Sequence, residues 1–222
     1  MRDNRVVSRP ASKSLDIDTP HGLARAQLHA VDEPRATLVL GHGAGGGVGA
    51  PDLRAATEAA RAEGITTALV EQPYRVAGRR SPAGAPQLDA AWIAVVEHLR
   101  AGALTGLPLI AGGRSLGARV ACRTAEAVGA VAVLCLAFPL EPRRRGGKPP
   151  QSRLHELDAV TVPTLVVQGK RDPFGIPPPG HAREVVQVPG DHGLKADLEA
   201  VAASVRAWLP RVVSAPVAHA RP

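Results

Sequence analysis

Three separate segments carry side chains that together could activate an alcohol for attack on a carbonyl carbon. Ser115 lies in the run Gly-Arg-Ser-Leu-Gly, and Asp172 and His192 each follow an apolar run further along the chain. A serine hydroxyl is a weak nucleophile until a base takes its proton, and imidazole titrates near neutral pH. A carboxylate that accepts from the other ring nitrogen fixes the imidazole tautomer. We therefore predict a catalytic triad of Ser115, His192 and Asp172.

The segment around Ser115 is typical of a nucleophile elbow. It lies between an apolar run, Leu107 to Ala111, and a helical pattern that begins at Leu116. A serine on so sharp a turn needs small residues two positions before and after it, and Gly113 and Gly117 meet that need. The alternative is a glycine-rich turn in which Ser115 only caps the helix, since serine is a favoured N-cap residue.

The order of the three residues favours the catalytic interpretation. Serine, acid and histidine follow one another along the chain in the order of hydrolases with a strand-turn-helix nucleophile. Asp191 is the rival acid because it adjoins His192, but neighbouring side chains in an extended turn tend to point apart. Each residue also has a simpler interpretation: His192 as a surface loop histidine, and Asp172 as a turn residue before Pro173.

A glycine-rich run, Gly41 to Gly47, follows the first buried strand and fits two interpretations. It satisfies the dinucleotide-binding spacing G-x-G-x-x-G, but the next helix begins only near Pro51, whereas a dinucleotide fold begins its helix within the glycines. The run is therefore predicted to be a loop that supplies a backbone donor to an oxyanion. We select the N–H groups of Ala44 and Leu116, with Gly43 as the nearest substitute for Ala44. His42 has no carboxylate or thiolate companions in its loop and is interpreted as structural.

The elements that must position these residues alternate between strands and helices, which predicts an α/β fold with a mostly parallel, doubly wound sheet and helices on both faces. An antiparallel hairpin at one sheet edge is predicted from period-two alternation on both sides of a turn. One domain is expected over 14–210, with a flexible leader over 1–13 and a flexible tail over 211–222. The predicted strands are 15–18, 23–30, 36–40, 66–70, 107–111, 130–136, 164–168 and 184–188. The predicted helices are 51–63, 87–100, 116–128, 153–159 and 196–209, with a loop over 71–86.

Composition excludes several other classes of protein. The formal net charge is +7, but the cationic residues are spread out and no aromatic side chains are interleaved with them, so no nucleic-acid partner is expected. The two cysteines, Cys122 and Cys135, fall in apolar patterns and are expected in the core. No metal or cofactor is predicted. The sequence has neither a secretory h-region nor an apolar run long enough for a membrane span, so we expect a cytoplasmic protein without membrane association.

Six segments resemble a known family: GHGAGGG, EQPYRVAGRR, GGRSLGARVA, LCLAFPLEP, PTLVVQGKRDPFG and PGDHGLK. They are similar to small α/β-hydrolases related to dienelactone hydrolase, in particular the group of testis-expressed and chromatin-complex subunit homologues, over roughly 36–209. The resemblance implies an α/β-hydrolase fold without a cofactor and a Ser115, Asp172, His192 triad. Dienelactone hydrolases proper have cysteine as nucleophile where this chain has Ser115.

The expected activity is hydrolysis of a small ester or thioester through an acyl-serine intermediate. The connection over 138–159 is too short for a large cap, which favours small substrates over long lipids. Cationic loops with Arg75, Arg79 and Arg80, and with Arg143, Arg144, Arg145 and Lys148, either attract an anionic substrate or are ordinary solvated loops. Acyl transfer, cofactor-dependent redox chemistry and a non-catalytic interaction role stay open, as does the oligomeric state.

Overall fold

The computed structural model describes residues 12–142 and 151–213, which form eight strands and six helices. The strands are β1 (Lys13–Thr19), β2 (Gly22–His29), β3 (Ala36–Gly41), β4 (Ile65–Glu71), β5 (Leu109–Arg114), β6 (Ala132–Leu136), β7 (Thr164–Gly169) and β8 (Arg183–Val188). The helices are α1 (Pro51–Ala62), α2 (Pro73–Val76), α3 (Ala85–Ala101), α4 (Leu116–Thr124), α5 (Leu154–Asp158) and α6 (Leu198–Val213).

All eight strands form one sheet in the order β1-β2-β4-β3-β5-β6-β7-β8. Reading this order from β4 to its end at β8, every pairing is parallel. Strands β1 and β2 form an antiparallel hairpin at one edge, and β2 pairs antiparallel with β4. The predicted α/β fold and its edge hairpin are therefore confirmed. Because parallel neighbours end at the same rim, the residues that follow β3, β5, β7 and β8 are brought to one side of the sheet.

Two hydrophobic clusters lie on opposite faces of the sheet. One contains the buried face of α3 with most of α4, and the other contains the buried faces of α1 and α6. Strands β3 and β6 are buried at every position, since helices cover both of their faces. Small aliphatic side chains fill most of this core, and one fully buried tryptophan anchors each cluster, Trp92 in the first and Trp208 in the second.

Some element limits differ from the sequence prediction. The predicted loop over 71–86 contains the short helix α2, which begins at Pro73, and proline suits the first turn of a helix. Strand β5 continues through both glycines to Arg114, because its parallel partners on both sides extend equally far. Helix α4 ends at Thr124, and turns follow to Gly129, whose φ is 62°.

Helix α6 passes through Pro210 and ends at Val213, although the tail was predicted to begin at 211. Proline removes one backbone donor inside a helix and crowds the preceding turn. Burial of Leu209 and Val212 continues the apolar stripe beyond the proline and offsets that cost. The predicted leader, 1–13, and the rest of the tail lie largely outside the described residues.

A group of ion pairs fixes α4 on the side away from its N-terminus. Arg123 donates to both carboxylate oxygens of Asp89 on α3, at 2.8 and 2.6 Å, and Arg119 donates to both oxygens of Glu156 on α5. Cys122 and Cys135 are buried as expected, with free thiols. Within the described ranges, no helix has the length and apolar character needed to cross a membrane.

Candidate active site

Ser115 occupies a strained turn between β5 and α4. Its φ is 52° and its ψ is −107°, and its N–H donates to the carbonyl of Leu136 at 2.9 Å. Backbone in such a sparsely populated region costs about 1–3 kcal/mol and persists only where its surroundings enforce it. Strand β3 passes close to both sides of the turn: a Cβ at Gly113 would lie 2.7 Å from the carbonyl oxygen of Gly41, and one at Gly117 would overlap that same carbonyl. The glycines therefore permit the sharp turn, as predicted.

The Ser115 hydroxyl does not cap the helix that follows it. It lies at the N-cap position of α4 without a side-chain capping bond, and its Oγ lies 2.9 Å from His192 Nε2. The capping alternative is therefore wrong for this serine. The hydroxyl instead lies within hydrogen-bond reach of a group that could accept its proton.

Asp172 holds the other side of the His192 ring. Its Oδ2 lies 2.8 Å from His192 Nδ1, and its side chain has no exposed surface. Gln168 Nε2 also donates to Oδ2, at 2.8 Å, and the N–H of Phe174 donates to Oδ1 at 2.9 Å. These donors stabilise a buried carboxylate, so that Nδ1 carries the ring proton and Nε2 presents a lone pair to Ser115.

The rival acid, Asp191, bonds within its own loop. Asp191 is exposed, and its Oδ1 accepts from the N–H of Gly193 at 2.8 Å. That bond closes a short turn beside His192 and explains why an aspartate is present there. Of the two candidate acids, the structure brings Asp172 to the imidazole.

The glycine-rich loop after β3 passes beside Ser115. A Cβ at Gly43 would lie 3.5 Å from Ser115 Cβ, and the hydroxyl of Tyr74 donates to the Ala44 carbonyl at 3.1 Å. Burial raises the pKa of Tyr74 to about 12, so this phenol keeps its proton. Leu116 is the first residue of α4, where backbone N–H groups have no partner within the helix. The structure thus brings both predicted donor segments to the serine, and the selection of Ala44 over Gly43 stays a prediction.

His42 is a structural residue of the same loop, as its context predicted. It is 1% exposed, its Nδ1 donates to the Gly43 carbonyl at 2.8 Å, and its Nε2 accepts from the N–H of Gln72 at 3.1 Å. Burial lowers the pKa of His42. A neutral imidazole therefore ties the loop after β3 to the end of β4. The helix after this loop begins at Pro51, as predicted.

The ring of Phe174 covers one side of His192, with centroids 4.5 Å apart. An open cavity of about 520 Å³ lies beside them, with Arg171 and Lys195 on its walls. Of the cationic residues selected from the sequence, Arg79 lines a different cavity, below the β1-β2 turn, that contains no triad candidate. The cluster over 143–148 lies outside the described residues.

Sequence reasoning missed two side chains of this site, Arg114 and Gln168. Arg114 was treated only as the variable residue before the serine, and Gln168 as a strand residue. Full burial of Gln168 signals a polar role, but that burial is known only from the structure. In the part of the chain that the structure describes, no group of three or more His, Cys, Asp and Glu side chains is arranged to hold a metal ion.

Comparison with known proteins places this geometry in context. A family model described as an alpha/beta hydrolase domain matches residues 34–197. A sequence comparison with curated proteins finds no match. The narrower resemblance to the testis-expressed and chromatin-complex group stays a prediction from the motifs.

Several solved structures share the fold at low identity. XC6422 from Xanthomonas campestris, an a/b serine hydrolase without lid, has a TM-score of 0.74 and 20% identity, over 93% of this chain and 97% of that one. Est1E from Butyrivibrio proteoclasticus has a TM-score of 0.73 and 17% identity, over 91% and 99%. Dienelactone hydrolase from Anabaena variabilis has a TM-score of 0.72 and 16% identity, over 92% and 99%.

Proposed function

The chain belongs to the alpha/beta hydrolase family, and from this premise we propose that it is a serine hydrolase that cleaves a small carboxylic ester or thioester. The observation that carries the proposal is the continuous pair of contacts from Ser115 Oγ to His192 Nε2 at 2.9 Å and from His192 Nδ1 to Asp172 at 2.8 Å. A hydrogen-bonded nucleophile and base, with the base oriented by a third group, is the arrangement that acyl transfer to serine requires.

In the first half of the reaction, His192 Nε2 takes the proton of Ser115 as Oγ attacks the carbonyl carbon. The oxyanion that forms is stabilised by the N–H groups of Leu116 and Ala44, and the positive end of the α4 dipole adds to that stabilisation. Asp172 stabilises the imidazolium. When the tetrahedral intermediate collapses, His192 protonates the leaving alcohol or thiol, and the acyl group stays on Ser115.

In the second half, water replaces the leaving group. His192 takes a proton from the water as its oxygen attacks the acyl-Ser115 carbonyl, and the same backbone donors stabilise the second oxyanion. Collapse returns the proton to Ser115 Oγ and releases the carboxylic acid. All the chemistry uses this chain's own residues and water.

The small substrate class is supported by the surroundings of the site. Between β6 and β7 the described residues contain only the short helix α5, and the cavity beside His192 is open to solvent. An uncapped site lacks the long apolar walls that bury an extended acyl chain. Short acyl esters and thioesters are therefore the proposed substrates.

Labelling with a fluorophosphonate probe tests the proposal, because such probes react with activated serines. We expect the wild-type protein to be labelled, with the modification at Ser115, and Ser115→Ala to resist labelling. Matched p-nitrophenyl esters and thioesters of two to eight carbons then identify the preferred leaving atom and acyl length. Absence of labelling in a folded wild-type protein, or undiminished labelling of Ser115→Ala, contradicts the proposal.

A further inference from the structure

Arg114 immediately precedes Ser115, and its guanidinium contacts three segments that are distant in sequence. Its Nε lies 2.8 Å from Oδ2 of Asp52 at the start of α1. Its Nη2 donates to the main-chain carbonyl of His192 at 3.0 Å. Its Nη1 packs against the loop after β3, 2.7 Å from the point that a Cβ on Gly43 would occupy.

Asp52 is the anchor for this guanidinium. Its side chain has no exposed surface, and it lies in the first turn of α1, where the helix dipole favours a negative charge. The Arg114 N–H does not point directly at Oδ2, so the contact is an ion pair rather than an aligned hydrogen bond. Burial raises the pKa of Asp52, and the charge of Arg114 opposes that rise. A carboxylate buried this deeply needs a paired cation, and Arg114 supplies it.

We propose that Arg114 is a positioning residue, which Asp52 holds in place so that it fixes the His192 backbone and the loop after β3 relative to Ser115. The inference rests on the proposed function for its catalytic consequence. Its structural half, that Arg114 immobilises the loop over 189–194, can be measured without any activity.

His192 has two independent anchors. Asp172 orients its imidazole, and Arg114 holds its carbonyl from the residue next to Ser115. Without the second anchor the His192 loop can shift relative to the serine, and a misplacement of about 1 Å can reduce a rate about 100-fold. Lysine keeps the charge but lacks the planar fork, so it cannot reach Asp52 and the His192 carbonyl together.

The kinetic test compares Arg114→Lys with Arg123→Lys, using p-nitrophenyl acetate as substrate. The two arginines are similar in burial and pairing: their side chains are 18% and 17% exposed, and each is paired with an aspartate of a neighbouring helix. Arg123 is paired with Glu156 as well. We expect Arg114→Lys to lower kcat about 10- to 100-fold with KM changed less than about threefold. Arg123→Lys is expected to keep kcat within about twofold of wild type, even if its melting temperature falls as much as that of Arg114→Lys.

Hydrogen exchange followed by mass spectrometry supplies the second readout. Leu194 N–H donates to the Asp191 carbonyl within this loop, and Arg171 N–H donates to the Gly190 carbonyl from outside it. Exchange of peptides covering 189–194, together with the peptide that contains Arg171, therefore reports on this loop. We expect Arg114→Lys to speed this exchange at least about tenfold relative to Arg123→Lys. Asp52→Asn, which removes the anchor and keeps Arg114, should change kcat and exchange in the same directions and serves if Arg114→Lys does not fold.

The outcomes separate the two proposals. If the wild type cleaves no ester and no probe labels it, the proposed function fails, and the exchange comparison still decides whether Arg114 holds the loop. If the wild type is active and folded Arg114→Lys or Asp52→Asn keeps wild-type kcat and exchange, the inference is overturned. Equal losses of kcat in Arg114→Lys and Arg123→Lys overturn it as well.

Discussion

Replacement of Asp172 by asparagine separates the orienting role of the carboxylate from its role in packing. The substituted side chain would keep the shape of the original, and its amide has two orientations. With the amide nitrogen toward His192, the carbonyl oxygen still accepts from the Phe174 N–H, and Gln168 Nε2 can place its two hydrogens on the carbonyls of Phe138 and Gly175, at 3.0 and 2.9 Å. The opposite orientation leaves the Phe174 N–H facing another donor. The first orientation is therefore favoured.

In that orientation the asparagine donates to Nδ1 of His192, so the ring proton moves to Nε2. An Nε2–H can donate to Ser115 Oγ but cannot take its proton, and the base is lost. Trapping the wrong tautomer in a serine triad costs about 10⁴ in kcat, or about 5 kcal/mol at 1.36 kcal/mol for each factor of ten. The free energy of unfolding should change by much less, because the hydrogen bonds are largely replaced.

The assay is steady-state hydrolysis of p-nitrophenyl acetate, with Ser115→Ala as the baseline and Asp191→Asn as the matched control. Asp191 is the adjacent acid and is exposed, so its asparagine variant should keep kcat within about threefold of wild type. Two results would refute the reasoning: Asp172→Asn within tenfold of wild type, or an Asp191→Asn loss as large as that of Asp172→Asn.

Two further predictions concern the framework of the site. A methyl group in Gly117→Ala would overlap the carbonyl of Gly41, so we expect the free energy of unfolding, measured with heat or urea, to fall by about 1–3 kcal/mol. The matched control is Gly45→Ala, where a Cβ would have nothing within 4 Å and the loss should be much smaller. Equal losses in the two variants would contradict the crowding argument. His42 is buried, and burial lowers its pKa in the folded protein below the ordinary histidine pKa of 6.5. As the pH falls below 6.5, the unfolded chain therefore binds a proton before the folded chain does, and the free energy of unfolding decreases. The free energy of unfolding should thus decrease from pH 8 to 5.5, by up to about 1.4 kcal/mol per pH unit. The contribution of His42 to that decrease should be absent in His42→Gln. An unchanged pH dependence in that variant would exclude His42 as the cause.

The sequence was sufficient to predict the parts of the site that backbone geometry determines. Ser115 and His192 were predicted to converge because each follows a strand of a parallel sheet, and the structure brings them within 2.9 Å. In such a sheet the strand ends converge whatever the interior side chains are. The edge hairpin followed from alternation on both sides of a turn. The predicted C-terminal limit of α6 was wrong. Proline usually ends a helix, but at Pro210 burial of Val212 outweighs that tendency. Burial depends on neighbouring residues that the sequence does not reveal.

Arg114 and Gln168 could not be assigned from the sequence for a different reason. Each acts through one long side chain that reaches segments far away in the chain, and such a reach depends on the exact separation of loops. Arg114 reaches His192, and Gln168, on β7, reaches the carbonyl of Phe138 in the connection after β6. No periodicity or spacing rule encodes these distances.

Burial of polar groups gives an independent argument for the location of the site. Apart from threonines, the buried polar side chains of the described ranges are His42, Asp52, Gln72, Glu156, Gln168, Asp172 and Arg183. Glu156 and Arg183 are paired with charges near α5. The other five lie at the rim where the parallel strands end: Gln168 donates to Asp172, Asp52 pairs with Arg114 next to Ser115, and His42 and Gln72 join the loop after β3 to the end of β4. Burying such groups costs free energy that aliphatic residues of similar volume would not, so their concentration at one rim needs a reason beyond stability. The proposed function supplies that reason, because it requires a nucleophile, a base and two backbone donors to be held within tenths of an ångström.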